Sequence, residues 1–306
     1  MASRDALDGL RKGGKRALVR ALASLEADPL GEPALSLLDE AWCRGTGAVV
    51  GLTGPPGVGK SSLLSRLVRS WRRRGRSVGI LAVDPSSRRS GGALLGDRTR
   101  LALDPGDEGV FLRSLAARDR LGGLADLCAP MVVLMRALFD RVVVETVGVG
   151  QSEGDIRDLA DLVLLAVQPG AGDGLQFMKA GILEIPDLLL VTKADLGEVA
   201  ARTRRELEAA MALITAEEVP VCAVSAATGE GVETLAELLE ERVAGLRGCG
   251  RDERLRAQAT ALLRMAVREE CGRRGLRRLD AWLAGRGLAP ELSPFRHLRT
   301  FLDLPA

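Results

Sequence analysis

Three textures of apolar and polar residues follow one another along the chain. Over residues 1–44 the pattern is helical. Ala17, Leu18, Ala21, Leu22 and Leu25 recur at helical spacing until Asp28-Pro29 stops them, and Leu35, Leu37, Leu38 and Trp42 form a second set after Pro33. From residue 45 the pattern changes to short, wholly apolar runs. Residues 48–53, 78–84, 142–146, 162–167, 188–192 and 221–225 are predicted strands. Stretches with helical periodicity lie between them, at 62–74, 121–138, 202–214 and 232–246. Strands that are apolar on both sides and separated by helices call for a parallel sheet covered on both faces, so the prediction is an α/β fold with a mainly parallel central sheet. The expected organisation is an N-terminal helical segment over 1–44, the α/β domain over 45–246 and a C-terminal helical segment over 247–306.

Composition removes several classes of function. Lys and Arg number 43 against 41 Asp and Glu, and a net charge of +2 gives no general pull toward nucleic acid. Two local excesses stand out. Residues 251–306 hold 12 Arg against 7 acids, and six arginines cluster at Arg66, Arg69, Arg72, Arg73, Arg74 and Arg76. The cluster falls at the end of a predicted helix, where cations suit the dipole, and reads as a solvated face. No apolar run reaches the roughly 18–20 residues of a membrane span, and the opening Met1-Ala2-Ser3-Arg4-Asp5 lacks the apolar stretch of a secretory signal. Cys43, Cys128, Cys222, Cys249 and Cys271 form no CxxC pair and His297 is the single histidine, so a His/Cys metal site has little to build from. The cysteines are expected as buried free thiols of a reducing compartment, which predicts a cytoplasmic protein. Aromatic residues make up 3%, so the core must rest on Leu, Val, Ile and Ala.

The chemistry is concentrated in a few loops. Gly54-Pro55-Pro56-Gly57-Val58-Gly59-Lys60-Ser61 fits GxxxxGK[ST] between a predicted strand and the predicted helix that opens at Ser62. Glycines in that context let backbone N–H groups close around phosphate oxygens, with the helix N-terminus adding its dipole. Lys60 is then expected on the β- and γ-phosphates and Ser61 on Mg²⁺. A carboxylate for that ion is expected at the end of a neighbouring strand, and Glu145 fits. Asp84 ends another strong strand, facing the crevice where such sheets bind ligands or serving as a helix or turn cap. Asp97 reads, on the residues alone, equally as a solvated loop acid. Thr192-Lys193-Ala194-Asp195 matches [NT]KxD, whose aspartate accepts from guanine N1–H and its 2-amino group while the Lys193 stem lies along the base. Ser225-Ala226-Ala227 follows the next strand, where a backbone N–H can meet guanine O6.

Taken together these stretches resemble the MeaB/ArgK/MMAA family of SIMIBI-class P-loop GTPases, its metal- and cobalamin-chaperone branch. The resemblance covers nearly the whole chain and is densest over 45–235. It is carried by residues 54–61, 82–87, 92–100, 144–153, 168–176 and 192–195, with Glu145 standing where most GTPases carry Asp. It implies a GTPase that chaperones an adenosylcobalamin-dependent acyl-CoA mutase such as methylmalonyl-CoA mutase, gating cofactor loading and protecting or reactivating the mutase. By the same resemblance Ser61, Asp84, Asp97 and Glu145 surround Mg²⁺, directly or through water. Residues 170–181 match the family's third switch, with Asp173 and Lys179 as its functional acid and lysine; on the residues alone an exposed helix lysine is the lesser alternative for Lys179. Thr192 departs from the usual Asn, and Arg118-Asp119-Arg120 replaces small polar residues near the expected switches. The C-terminal helices, which build the family's homodimer, are short here. The alternative reading is a P-loop kinase or ATPase of the transport-kinase type, which leaves the guanine-reading loops without a purpose.

Overall fold

The computed structural model describes residues 6–85, 101, 103–117, 125–146, 152–170, 185–214, 219–246, 251–285 and 287–304. Helices α1 (Ala6–Ala27) and α2 (Glu32–Arg44) precede strand β1 (Ala48–Thr53) and α3 (Lys60–Arg73). Then come β2 (Val78–Pro85), β3 (Val110–Ala117), α4 (Ala125–Leu138), β4 (Arg141–Glu145), α5 (Ser152–Leu159), β5 (Leu162–Val167) and β6 (Leu188–Val191). A single 3₁₀ turn at Ala194–Leu196 leads to α6 (Glu198–Ile214), β7 (Val221–Ala223), α7 (Val232–Leu246), α8 (Arg251–Gly285) and α9 (Pro294–Leu302). The seven strands form one sheet in the order β3-β2-β4-β1-β5-β6-β7, and every pairing is parallel.

The two-residue period of the strands sorts the core into two layers. Val49, Val142, Val144 and Val163 face a cluster shared with α1, α2, α4, α5 and part of α8. Val50, Leu52, Val143 and Leu164 face the opposite layer, made by α3 and α7. The buried stripe of α3 is Leu63, Leu64, Leu67, Val68 and Trp71. Each such side chain contributes about 1.5–3 kcal/mol relative to exposure, which fixes the helix behind the glycine loop. β5 and β6 add Leu165, Val167, Leu189 and Val191 against α6.

Four features differ from the sequence expectation. β3 was not among the predicted strands, because Arg113 and Ser114 interrupt its apolar run. It is an edge strand with buried Val110, Phe111 and Leu115. The short α5 was also missed, since its sequence SEGDIRDL offers Ile156 and Leu159 as its buried apolar residues. The arginine cluster is only in part a solvated face: Arg69 and Arg73 are exposed, while the other four are half-buried. Arg72 grips Asp107 through two bonds of 2.8 Å, and its guanidinium holds that carboxyl below the usual range. Arg74 bonds Glu233 and Glu237, and Arg76 bonds Glu240. These three acids recur every three or four residues on α7, a face that only tertiary packing brings to α3. The cysteine expectation is corrected as well. Cys43, Cys128, Cys222 and Cys271 are free, but only Cys128 of these is buried, its thiol pushed up to about 12 by desolvation, while Cys43 is exposed. Cys249 lies outside the described residues. No described helix is long and apolar enough to cross a membrane.

Candidate nucleotide site

β1 is central in the sheet and delivers the glycine loop to its C-terminal edge. Gly54 follows at φ +142, and a Cβ there would stand 2.3 Å from the Ala166 carbonyl oxygen, so β5 admits only glycine. Pro55, Pro56, Gly57 and Val58 carry the loop round to Gly59, the N-cap of α3, at φ 101 with no side-chain cap. The first N–H groups of α3 are therefore donors that no side chain of the cap has claimed. Lys60 opens the helix buried, and its ammonium donates to the carbonyls of Gly54 and Pro55, the latter at 3.0 Å. Ser61 Oγ donates to Glu145 Oε1 at 2.8 Å, and Ser62 continues the helix.

Glu145 reaches that serine because β4 pairs with β1, setting Glu145 opposite Leu52. The residue after it is stitched to the same strand: Thr146 N–H donates to the Leu52 carbonyl at 3.0 Å and its hydroxyl to Thr53 Oγ1 at 2.9 Å. Glu145 is also in register with Ala82 of β2, so Asp84 lies two residues further along the adjacent strand, at the same edge. Asp97, Asp173 and Lys179 lie outside the described residues. Among the described residues no group of three or more His, Cys, Asp or Glu forms a metal cluster.

On the other side of β1, the loops after β5, β6 and β7 meet at the same edge. Thr192 is buried, its N–H and hydroxyl both directed to the Val167 carbonyl at 2.9 and 3.2 Å. Lys193 is the non-glycine residue with positive φ (53°) among the described residues, and its ammonium donates to Gln168 Oε1 at 2.9 Å. Ala194 N–H bonds the Val224 carbonyl at 3.1 Å, which ties the two base-side loops together. Ser225, wholly buried, donates its hydroxyl to Asp195 Oδ1 and accepts from the N–H groups of Ala227 and Thr228, each at 3.2 Å. Arg66 of α3 supports the same loop by donating to the carbonyls of Ala226 and Ala227. Sequence reading missed that contact, since nothing along the chain links Arg66 to a turn some 160 residues away.

The described part of the site thus offers backbone donors and a lysine at one end, a hydroxyl–carboxylate pair beside them, and a carboxylate with small-residue turns at the other. Solved structures bear out the fold: the crystal structure of an LAO/AO transport system kinase superposes with a TM-score of 0.69 over 98% of this chain and 97% of that one, at 24% identity. A relative from Pyrococcus horikoshii is 40% identical over 255 residues, 81% of this chain and 80% of its own. A Mycobacterium bovis protein named "Probable GTPase" is 36% identical over 98% of this chain and 95% of its own. The family model described as methylmalonyl-CoA mutase-associated GTPase MeaB matches residues 18–277, from the middle of α1 into α8. On a match of that extent, the chain belongs to the MeaB family and is a GTPase.

Proposed function

We propose that this GTPase is the chaperone of an adenosylcobalamin-dependent acyl-CoA mutase of the methylmalonyl-CoA mutase type, gating cofactor loading and protecting or reactivating its client. The observation that carries the reading is the family match over residues 18–277, whose description couples GTPase and mutase. In this reading GTP lies along the C-terminal edge of the sheet. The backbone N–H groups of the non-proline residues in 54–62 hold its phosphates, and Lys60 exchanges the Gly54 and Pro55 carbonyls for phosphate oxygens. Asp195 takes the guanine N1–H and 2-amino group, Lys193 covers the base, and the 225–227 turn meets O6.

The residues fit Mg²⁺, since Ser61 Oγ and Glu145 Oε1 stand 2.8 Å apart as hard oxygen donors beside the phosphate loop. Asp84 and Asp97 complete the proposed set, directly or through water. When bound, the ion neutralises charge on the β- and γ-phosphates. The chain's own residues do the rest. Lys60 stabilises charge on the transferring phosphoryl group, and Ser61 and Glu145 orient the ion's shell. Lys179 and Asp173, in the segment matching the third switch, respond to the mutase, with Lys179 supplying a cation as an arginine finger does. The C-terminal segment 247–306 forms a homodimer contact, and the four free cysteines among the described residues support a cytoplasmic protein.

The test is GTP turnover by the purified chain, alone and with a cobalamin-dependent acyl-CoA mutase from the same source, with ATP as control. Stimulation by the mutase confined to GTP is the expected result. Equal rates with and without mutase, with no complex between them, remove the chaperone role. Phosphate appearing on an acceptor instead of in solution replaces it with a kinase.

A further inference from the structure

The turn after β7 is pinned from three sides. Arg66, in the second turn of α3, donates Nε to the Ala226 carbonyl at 2.9 Å and Nη2 to the Ala227 carbonyl at 2.8 Å. Its Nη1 lies beneath Gly229, 3.5 Å from where a Cβ would stand. From inside, Ser225 Oγ takes the N–H groups of Ala227 and Thr228, and the Ser225 carbonyl takes that of Gly229 at 2.9 Å. The N–H of Ala226 is left as a donor with no acceptor among the described residues. A backbone donor in that position calls for water or a ligand acceptor.

We infer that Arg66 is a positioning residue for base selection, holding the turn so that the Ala226 N–H is aimed at the O6 acceptor of guanine. The inference rests on the guanine reading proposed above. A guanidinium forked over two successive carbonyls fixes both peptide planes, which two alanines with no side-chain anchor of their own cannot do. Arg66 also stands on the helix that begins at Lys60, so the phosphate and base ends share one rigid element about 9 Å long between these residues. Adenine carries an amino donor where guanine carries O6. A fixed N–H facing it is a repulsive contact, and selectivity comes from that contrast.

The experiment is calorimetric titration of GDP, ADP and inorganic pyrophosphate into the full chain and its Arg66→Ala and Arg66→Lys variants, with Mg²⁺ present. The expected result is that Arg66→Ala loses about tenfold in GDP affinity, the worth of one well-aimed hydrogen bond, while ADP and pyrophosphate bind as before. Arg66→Lys keeps the charge and stem without the fork, and its preference for GDP falls by less. It also provides the measurement if the alanine variant melts below the assay temperature. An unchanged GDP-to-ADP ratio in the variants overturns the inference, as does an equal loss for all three ligands, which marks general damage. A parent protein with no preference for GDP over ADP removes the guanine reading itself, an outcome distinct from either.

Discussion

The phosphate end and the base end of the candidate site are built on opposite principles. At the base end the side chains are bonded within the protein: Ser225 to Asp195, Thr192 to the Val167 carbonyl, Lys193 to Gln168, and Arg66 to the turn beyond β7. At the phosphate end glycines carry the shape, and the α3 N-terminus has no side-chain cap. Lys60 there rests on two carbonyls that an anion outcompetes as a partner for an ammonium. Fixed dipoles at the base end cost nothing to reorganise and favour discrimination. A helix start without a side-chain cap and a lysine at the phosphate end favour affinity for whatever carries negative charge.

That contrast predicts separable defects. The largest is Lys60→Ala, which lowers GTP turnover by at least about 10²-fold, as removing a transition-state donor does. Single-turnover rates at saturating GTP measure it, and a variant within tenfold of the parent breaks the phosphate-end assignment. Ser225→Ala comes next. It deprives Asp195 of its donor and two N–H groups of their acceptor, at a cost of about 1–3 kcal/mol in stability. With the phosphate end intact, KM for GTP rises about tenfold while kcat stays within about twofold, readable from denaturant melts and steady-state kinetics together. A matching fall in kcat shows instead that the two ends are not separable. The smallest effect belongs to Thr192→Asn. The threonine hydroxyl already bonds the Val167 carbonyl that holds this loop, so restoring the amide changes the preference for GTP over ATP by less than about threefold. Competition binding with the two triphosphates reads it, and a larger gain makes Thr192 a determinant of base choice.

Much of this was legible in the residues, for physical reasons that also mark where legibility stops. Six of the seven strands announce themselves because a strand buried on both faces is an uninterrupted apolar run, as in 162–167. β3 hides because an edge strand tolerates Arg113 and Ser114, whose neighbours cover only part of it. Lys60, Ser61 and Glu145 were readable from spacing and strand position, and the structure joins Ser61 to Glu145 across 84 residues. The arginines of α3 were misread because charge on one helix says nothing about acids on another. Only the packing of α3 on α7 turns a basic stripe into a ladder of ion pairs with Glu233, Glu237 and Glu240. Asp195 was expected as the base reader. Its buried serine partner needed the register of β6 and β7, which places Leu190 beside Cys222 and Val191 beside Ala223.

The place of β1 in the strand order has a further consequence. Three strands lie on each side of it, with Glu145 and Asp84 on the β4–β2 flank and the loops that carry Asp195 and Ser225 on the β5–β7 flank. In the reading proposed above, a nucleotide laid across that midline has its terminal phosphate over one half of the sheet and its base over the other. Cleavage therefore alters the load on the first half alone, while the grip on the base is left as it was. In the chaperone reading proposed above, such a molecule can signal that its clock has run out and still keep hold of the spent nucleotide, so the hydrolysis event and the emptying of the site become two separate messages to the client.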